Sequence, residues 1–98
     1  MKSKWPFGDS ENTAVFTSKK ILDGADWVYY VTHDADDGAW QFHPHSGPTP
    51  EAEAAVASFK SMLGIDDSIR ALANLPLGWH AWRKSKSSPW TRSKMETS

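Results

Sequence analysis

Residues 27–32 (WVYYVT) constrain the fold more than any other segment of this sequence. All of them are β-branched or aromatic residues, which favour strands over helices. Alternation places Trp27, Tyr29 and Val31 on one face and Val28 and Tyr30 on the other. Because both faces are apolar or aromatic, we expect a central strand that is covered, at least in part, on both sides.

Further strands are predicted on either side of this segment. Residues 34–38 (DADDG) form a turn, since Asp and Gly favour tight reversals of the chain. Residues 39–43 then return as a strand, which predicts an antiparallel hairpin. Earlier in the chain, residues 13–17 predict a short strand and residues 18–22 one helical turn.

Two helices are predicted in the second half of the chain. Thr49 is a favourable N-cap for the first, and Pro50 suits the first helical position. Apolar residues follow at helical spacing before Gly64 ends this helix; they are Ala52, Val56, Phe59 and Leu63. Asp66 or Asp67 caps the second, shorter helix. Its apolar side is lined by Ile65, Ile69 and Leu72.

A last strand is predicted over residues 78–83. The predicted fold is therefore α+β, with a small antiparallel sheet of about four strands and two helices packed on one face. A chain of 98 residues is sufficient for one domain. We assign residues 1–12 to a flexible N-terminal arm, residues 13–84 to the single α+β domain and residues 85–98 to a mobile basic tail.

The composition is that of an ordinary globular domain, with 39% hydrophobic and 23% charged residues. The absence of cysteine excludes disulfides, thiolate metal sites and a cysteine nucleophile. No apolar run suggests a signal peptide or a membrane span, so we expect a cytoplasmic protein with no membrane contact. The net charge of −1 is unevenly distributed, because every charge between residues 78 and 95 is positive.

No catalytic motif is present in the sequence. It lacks a Gly-x-Ser-x-Gly elbow, a phosphate-binding glycine loop and a His-Glu-x-x-His pair, so we expect a non-catalytic protein. His33, His43, His45 and the acidic turn at 34–38 contain residue types that bind metals. Their spacing matches no metal-site signature, and turns favour Asp for backbone reasons, so we predict no metal site and no cofactor.

Aromatic and basic residues are interleaved near the end of the chain, at Trp79, Trp82, Arg83, Lys84, Lys86, Trp90, Arg92 and Lys94. This pattern is typical of single-stranded nucleic-acid binding, in which rings stack on bases and cations follow phosphates. Against it, the pI is about 6.4, whereas nucleic-acid domains are usually strongly basic. Trp, Tyr and Arg also dominate protein interfaces, and we favour a protein partner.

Several blocks of the sequence resemble a small bacterial family. They are residues 15–22 (VFTSKKIL), 37–42 (DGAWQF), 65–69 (IDDSI), 75–83 (LPLGWHAWR) and 89–90 (PW). The family, formerly a domain of unknown function, is the thirty-third immunity protein family of polymorphic toxin systems. The resemblance covers about residues 13–92. This chain departs from the family pattern at residues 43–47 (HPHSG), where the resemblance implies a turn rich in glycine and acidic residues.

The resemblance implies a small α+β protein that binds and neutralises a co-encoded bacterial toxin, and it implies no catalytic residues. Alternation turns Trp82 outward if Ala81 faces inward. The residues that we expect to contact a partner are Trp82, Arg83, Trp90, His43, His45 and the turn acids Asp34, Asp36 and Asp37. Single-stranded nucleic-acid binding and a different protein partner stay open as alternatives.

Overall fold

The fold is built on one mixed sheet of six strands, in a computed structural model that describes residues 5–95. The elements in chain order are β1 (Ala14–Ser18), α1 (Lys19–Leu22), β2 (Val28–His33), β3 (Trp40–Pro44), a 3₁₀ helix (Glu51–Glu53), β4 (Ala54–Ser58), α2 (Phe59–Ile65), a second 3₁₀ helix (Asp67–Leu72), β5 (Trp79–Trp82) and β6 (Thr91–Lys94). The strand order across the sheet is β4-β1-β3-β2-β5-β6. The β1–β3 pair is parallel, and the other neighbouring pairs are antiparallel.

The predicted α+β class is confirmed, but the sheet differs from the expected one. It has six strands where about four were predicted, and it is mixed where an antiparallel sheet was predicted. The predicted hairpin is confirmed, because β2 and β3 are antiparallel with Thr32 opposite Gln41. Gly38 closes its turn with a φ of 72°, a conformation that favours glycine.

A β-bulge at Tyr29 changes the predicted faces of β2. Val28 lies opposite Pro44 while Tyr30 lies opposite His43, so the register shifts between them. The extra residue reverses the alternation, and Val28 and Val31 both reach the core. The prediction that Val28 and Tyr30 share a face is therefore wrong.

The first predicted helix is wrong over its N-terminal half. Ala54–Ser58 is a strand that pairs with β1 from end to end. The helix begins only at Phe59, after Ser58, whose Oγ accepts a hydrogen bond from the Ser61 amide. The apolar spacing was misleading because small and β-branched residues fit a half-buried strand equally well, and pairing with β1 satisfies their backbone.

The second predicted helix is present as the 3₁₀ helix Asp67–Leu72. Asp66 is its N-cap, and its Oδ1 accepts a hydrogen bond from the Ser68 amide at 3.0 Å. Ile69 is buried as expected, whereas Ile65 is exposed, so the predicted position of Ile65 on the buried side is wrong.

Both ends of the described chain lie against the domain. Thr91–Lys94 forms the edge strand β6, although the sequence predicted a mobile tail there. Arg92 holds this strand in place by donating to Asn74 Oδ1 at 2.6 Å and to the Ala71 carbonyl at 2.7 Å. In the predicted flexible arm, Phe7 is buried. Polar composition concealed β6, since an edge strand tolerates charged residues. Residues 1–4 and 96–98 of the arm and tail lie outside the described part.

The core covers one face of the sheet. Side chains from the strands and from the helical segments form a single buried cluster, which includes Val15, Val31, Trp40, Phe42, Ala81, Phe59, Met62, Leu63, Ile69 and Leu72. On the opposite face, Phe16 is 50% exposed and Val56 is 60% exposed. A six-stranded sheet with one covered face therefore presents its other face for contact.

Candidate functional site

We call the uncovered side of the sheet the open face. Its larger outward side chains, across the sheet from β4 to β5, are Val56, Phe16, Gln41, His43, Tyr30, Thr32, His80 and Trp82. Trp82 is half-buried and faces outward, as alternation from the buried Ala81 predicts. None of the outward positions on the described strands is occupied by Lys or Arg. The open face is thus aromatic and uncharged along its strands.

Tyr30 lies at the centre of the open face and contacts the surrounding rings. Its hydroxyl is hydrogen bonded to Nδ1 of His80 at 2.7 Å. The His43 ring centroid lies 5.6 Å from that of Tyr30, and the His80 centroid lies 5.1 Å from that of Trp82. Burial and, secondly, the charge of Asp34 raise the pKa of the Tyr30 hydroxyl. Tyr30 therefore stays protonated at neutral pH and keeps both its donor and its acceptor.

A groove of about 490 Å³ opens beside this cluster. It is lined by Tyr29, Tyr30, His43, Pro44, His45, Gly47, Pro48 and Thr49. The bulge at Tyr29 explains why two consecutive tyrosines share one wall, since a bulge directs neighbouring side chains to the same side. The volume and the mainly apolar lining are those of a site that takes an apolar group of a ligand or partner.

The outer wall of this groove is a loop that is held by two contacts. The ring of His45 stacks on that of Trp27 with centroids 4.8 Å apart. Asp26 Oδ2 accepts a hydrogen bond from the Ser46 amide at 3.0 Å. Burial opposes ionisation of Asp26, but hydrogen bonds from Ser46, Trp27 and His45 outweigh it and lower its pKa. The carboxylate is therefore ionised at neutral pH and fixes the loop.

A second groove of about 310 Å³ lies on the other side of His43. His43 and Thr49 line both grooves. Thr17 and Thr49 are among its lining residues, and their buried hydroxyls have no hydrogen-bond partner within residues 5–95. Thr49 therefore does not act as the N-cap predicted for it. Burial lowers the pKa of His43, although Asp34 opposes this shift, so His43 is neutral at pH 7 and both donates and accepts.

The acidic turn lies at one end of the open face. Asp34 Oδ2 accepts a hydrogen bond from Gln41 Nε2 at 2.8 Å, and Asp37 Oδ1 accepts one from the Ala39 amide at 2.9 Å. Asp36 and Asp37 are exposed. In the described range 5–95, no three His, Cys, Asp or Glu side chains converge on a position that could hold a metal ion. These acids therefore shape the turn and give it negative charge.

Arg83 lies on the covered side of the sheet and is 1% exposed. Its Nε and Nη2 both donate to the Val28 carbonyl, at 2.9 and 2.7 Å. Nη1 donates to Ser68 Oγ at 2.7 Å and to the Lys86 carbonyl at 3.0 Å. Nη2 also forms an ion pair with Asp66. Arg83 was predicted at a partner contact, but its guanidinium is enclosed by the fold, so we leave it out of the contact surface.

Trp90 belongs to the same covered-side cluster. Its ring lies 4.3 Å from the Arg83 guanidinium carbon, and its Nε1 donates to Ser68 Oγ at 3.2 Å. This cation–π contact fastens the segment before β6 to the body of the domain. The structure therefore brings Trp82, His43 and the groove residue His45 together at the open face, and places Trp90 away from them.

Sequence reasoning missed other residues of the open face. His80 was predicted to face outward from its alternation with Ala81, but it was not included among the contact residues. Tyr30 was predicted to share a covered face of its strand with Val28, because nothing in the sequence marks the bulge. Val56 was placed on a helix, which concealed its outward position beside Phe16.

No protein-family model, curated protein or solved structure matches this chain. No helix in the described part of the chain is long and apolar enough to cross a membrane. A function is therefore inferred from the open face and from the resemblance of the sequence blocks to a bacterial family.

Proposed function

We propose that this chain is a non-catalytic binding protein of the immunity type, which neutralises a co-encoded bacterial toxin in the cytoplasm through its open face. The observation that carries the proposal is the uncovered aromatic sheet face with two adjoining grooves. The toxin as partner is suggested by the resemblance of the sequence to an immunity protein family.

Aromatic side chains with a polar end favour binding to a protein. Tyr and Trp supply a large contact area at low entropic cost and are enriched among the residues that carry interface energy. On the open face, Tyr30 and Trp82 lie opposite each other on neighbouring strands. His43 adds a neutral donor and acceptor between the two grooves. A partner can therefore insert apolar groups and make hydrogen bonds within one small area.

The charge at the end of the open face favours a basic partner surface. Asp34, Asp36 and Asp37 cluster in the turn, while Arg83 and Arg92 of the basic segment are bound within the fold. Complementary charge speeds encounter and orients the partner. The proposed contact surface consists of Trp82, His43, His45, Asp34, Asp36 and Asp37, together with Tyr30 and His80.

Single-stranded nucleic-acid binding has weaker support. Cations that follow phosphates are needed beside the stacking rings. The outward positions of the described strands lack Lys and Arg, and Arg83, Trp90 and Arg92 are engaged on the covered side. Trp82 therefore lies on a different face of the sheet from Arg83, Trp90 and Arg92, which separates it from the arginines of this segment.

The proposal is tested by titrating the chain with the variable C-terminal domain of a large secreted protein encoded beside its gene. Trp82→Ala should weaken binding by about 2 kcal/mol, or about 30-fold, because an interface anchor is lost. Ile65→Ala is the matched control, since Ile65 is 43% exposed and lies on α2, on the covered side of the sheet. Circular dichroism and urea unfolding must show that both variants fold.

Two results would contradict this proposal. Equal binding by folded Trp82→Ala and wild type would remove the open face from the contact. Retention of single-stranded nucleic acid, with affinity that falls steeply as salt rises, would favour the alternative function.

A further inference from the structure

The two edges of the sheet differ in how they are protected. β6, at one edge, has Arg92 and Lys94 among its four residues. β4, at the other edge, is Ala54–Ser58 (AAVAS) and contains no charged residue and no proline. Charges and prolines on edge strands prevent pairing with other chains, so the β4 edge is the one open to pairing.

The direction of the β4 backbone groups follows from one hydrogen bond. The Phe59 amide donates to the Thr13 carbonyl at 2.9 Å, which sets the phase of the β1–β4 ladder. In an antiparallel pair, hydrogen-bonded and non-hydrogen-bonded residues alternate. Ala57 and Ala55 therefore direct their backbone groups to β1, and the remaining residues direct theirs to the free edge. Those residues are Ala54, Val56 and Ser58.

We propose that β4 pairs antiparallel with β4 of a second copy of this chain, joining two six-stranded sheets into one. This self-association goes beyond the proposed toxin binding and does not depend on it. Val56 is the middle residue of the strand and directs its backbone to the edge. A two-fold axis at Val56 thus places Val56 opposite Val56 of the second copy as a hydrogen-bonded pair.

In this register, the outward backbone amides of each β4 strand face the outward carbonyls of the other. The Val56 amide donates to the Val56 carbonyl of the second copy, and the Ser58 amide donates to its Ala54 carbonyl; both bonds recur by symmetry. The Ala54 amide is already bonded to the Glu51 carbonyl and takes no part. A shift by one residue would turn inward-facing groups toward the partner, and a shift by two would leave part of each five-residue strand unpaired, so the Val56 register is the one that pairs both strands over their full length.

The side chains on this edge also suit a second copy. Val56, 60% exposed, lies opposite Phe16, 50% exposed, on the open face. Self-pairing would bring these side chains from both copies into one apolar cluster and would remove them from water.

Sedimentation equilibrium of the full chain tests this pairing. The wild type should shift from the 10.9 kDa monomer to a dimer as concentration rises. Val56→Lys should weaken association by at least about tenfold, since it sets two like charges opposite each other. The matched control Leu77→Lys adds the same charge at another exposed aliphatic residue and should associate as the wild type does. Thermal unfolding must show that both variants fold.

A single cysteine tests the register, because the chain has none of its own. Opposed residues of a hydrogen-bonded pair have Cα atoms about 5.5 Å apart, within the range of a disulfide. Val56→Cys should oxidise to a linked dimer much faster than Leu77→Cys. Sedimentation as a monomer throughout, or equal rates of linkage for the two cysteine variants, would overturn the proposal.

Discussion

Replacing Arg83 by Met should destabilise the fold while leaving the open face intact. Met fills a similar volume but cannot donate hydrogen bonds or carry charge. The change would leave the Val28 carbonyl without its two guanidinium donors and would leave the Asp66 carboxylate, 11% exposed, without its ion-pair partner. The Val28 carbonyl would then lose both of these donors, and the enclosed Asp66 carboxylate would keep only the hydrogen bonds that Ser68 donates to its Oδ1.

The expected loss is about 3–5 kcal/mol, the usual cost of removing one partner of a buried ion pair. A domain of this length is stable by about 5–15 kcal/mol, so the variant loses a large share of its stability. Asp66 is also the N-cap of the 3₁₀ helix Asp67–Leu72, and Arg83 stacks on Trp90. The loss should therefore loosen that helix and the segment before β6 together.

Urea unfolding followed by far-ultraviolet circular dichroism measures this loss. The urea concentration at the midpoint of unfolding should fall. The slope of the unfolding free energy against urea concentration should stay constant, because the area exposed on unfolding is unchanged. Lys84→Met is the matched control, since Lys84 is the exposed neighbouring residue and should change stability by less than about 0.5 kcal/mol. A loss below about 1 kcal/mol for folded Arg83→Met would refute the reasoning.

Two further predictions concern pH and backbone conformation. Burial lowers the pKa of His43, so the unfolded chain binds its proton first, and the free energy of unfolding should fall as pH drops below about 6.5. Urea titrations of wild type and His43→Gln at several pH values should show a weaker fall in the variant; parallel curves would contradict this. Gly64→Ala should stabilise α2 by up to about 1 kcal/mol, since no atom outside its chain neighbours and the backbone of α2 lies within 4 Å of the added Cβ. Gly78→Ala should destabilise by a similar amount, because Gly78 has a φ of +83°. Thermal unfolding of both glycine variants measures these changes, and equal signs would refute the argument.

Strands that bury one side were predictable from alternation. Trp40 and Phe42 on β3 and Ala81 on β5 all reach the core as their spacing indicates. The Asp66 cap was also predictable, because a short acidic side chain at that position satisfies a free amide. These features depend on neighbouring residues in the chain, which is why the sequence contains their signal.

The features that the sequence concealed depend on distant partners. β4 has the spacing of a helix but pairs with β1, and β6 is polar but fastened through Arg92 to Ala71 and Asn74. Tertiary pairing outweighed local propensity in both segments. The bulge at Tyr29 is likewise set by the pairing of Val28 and Tyr30 with β3, and it determines which side of β2 lines the larger groove.

The candidate site was predictable only in part for the same reason. Trp82 and His43 were identified as contact candidates, whereas the cluster around Tyr30 needed the strand order to become visible. Arg83 illustrates the opposite error, because an arginine between aromatic residues suits an interface and a buried ion pair equally well.

Growth rescue tests the central claim most directly. The toxin domain encoded beside this gene would be expressed in cells with wild-type chain, Trp82→Ala or Ile65→Ala, at equal protein levels. The account predicts that wild type and Ile65→Ala restore growth and that Trp82→Ala does not. Full rescue by Trp82→Ala would show that the open face does not carry neutralisation, and growth arrest with the wild type would contradict the immunity function itself.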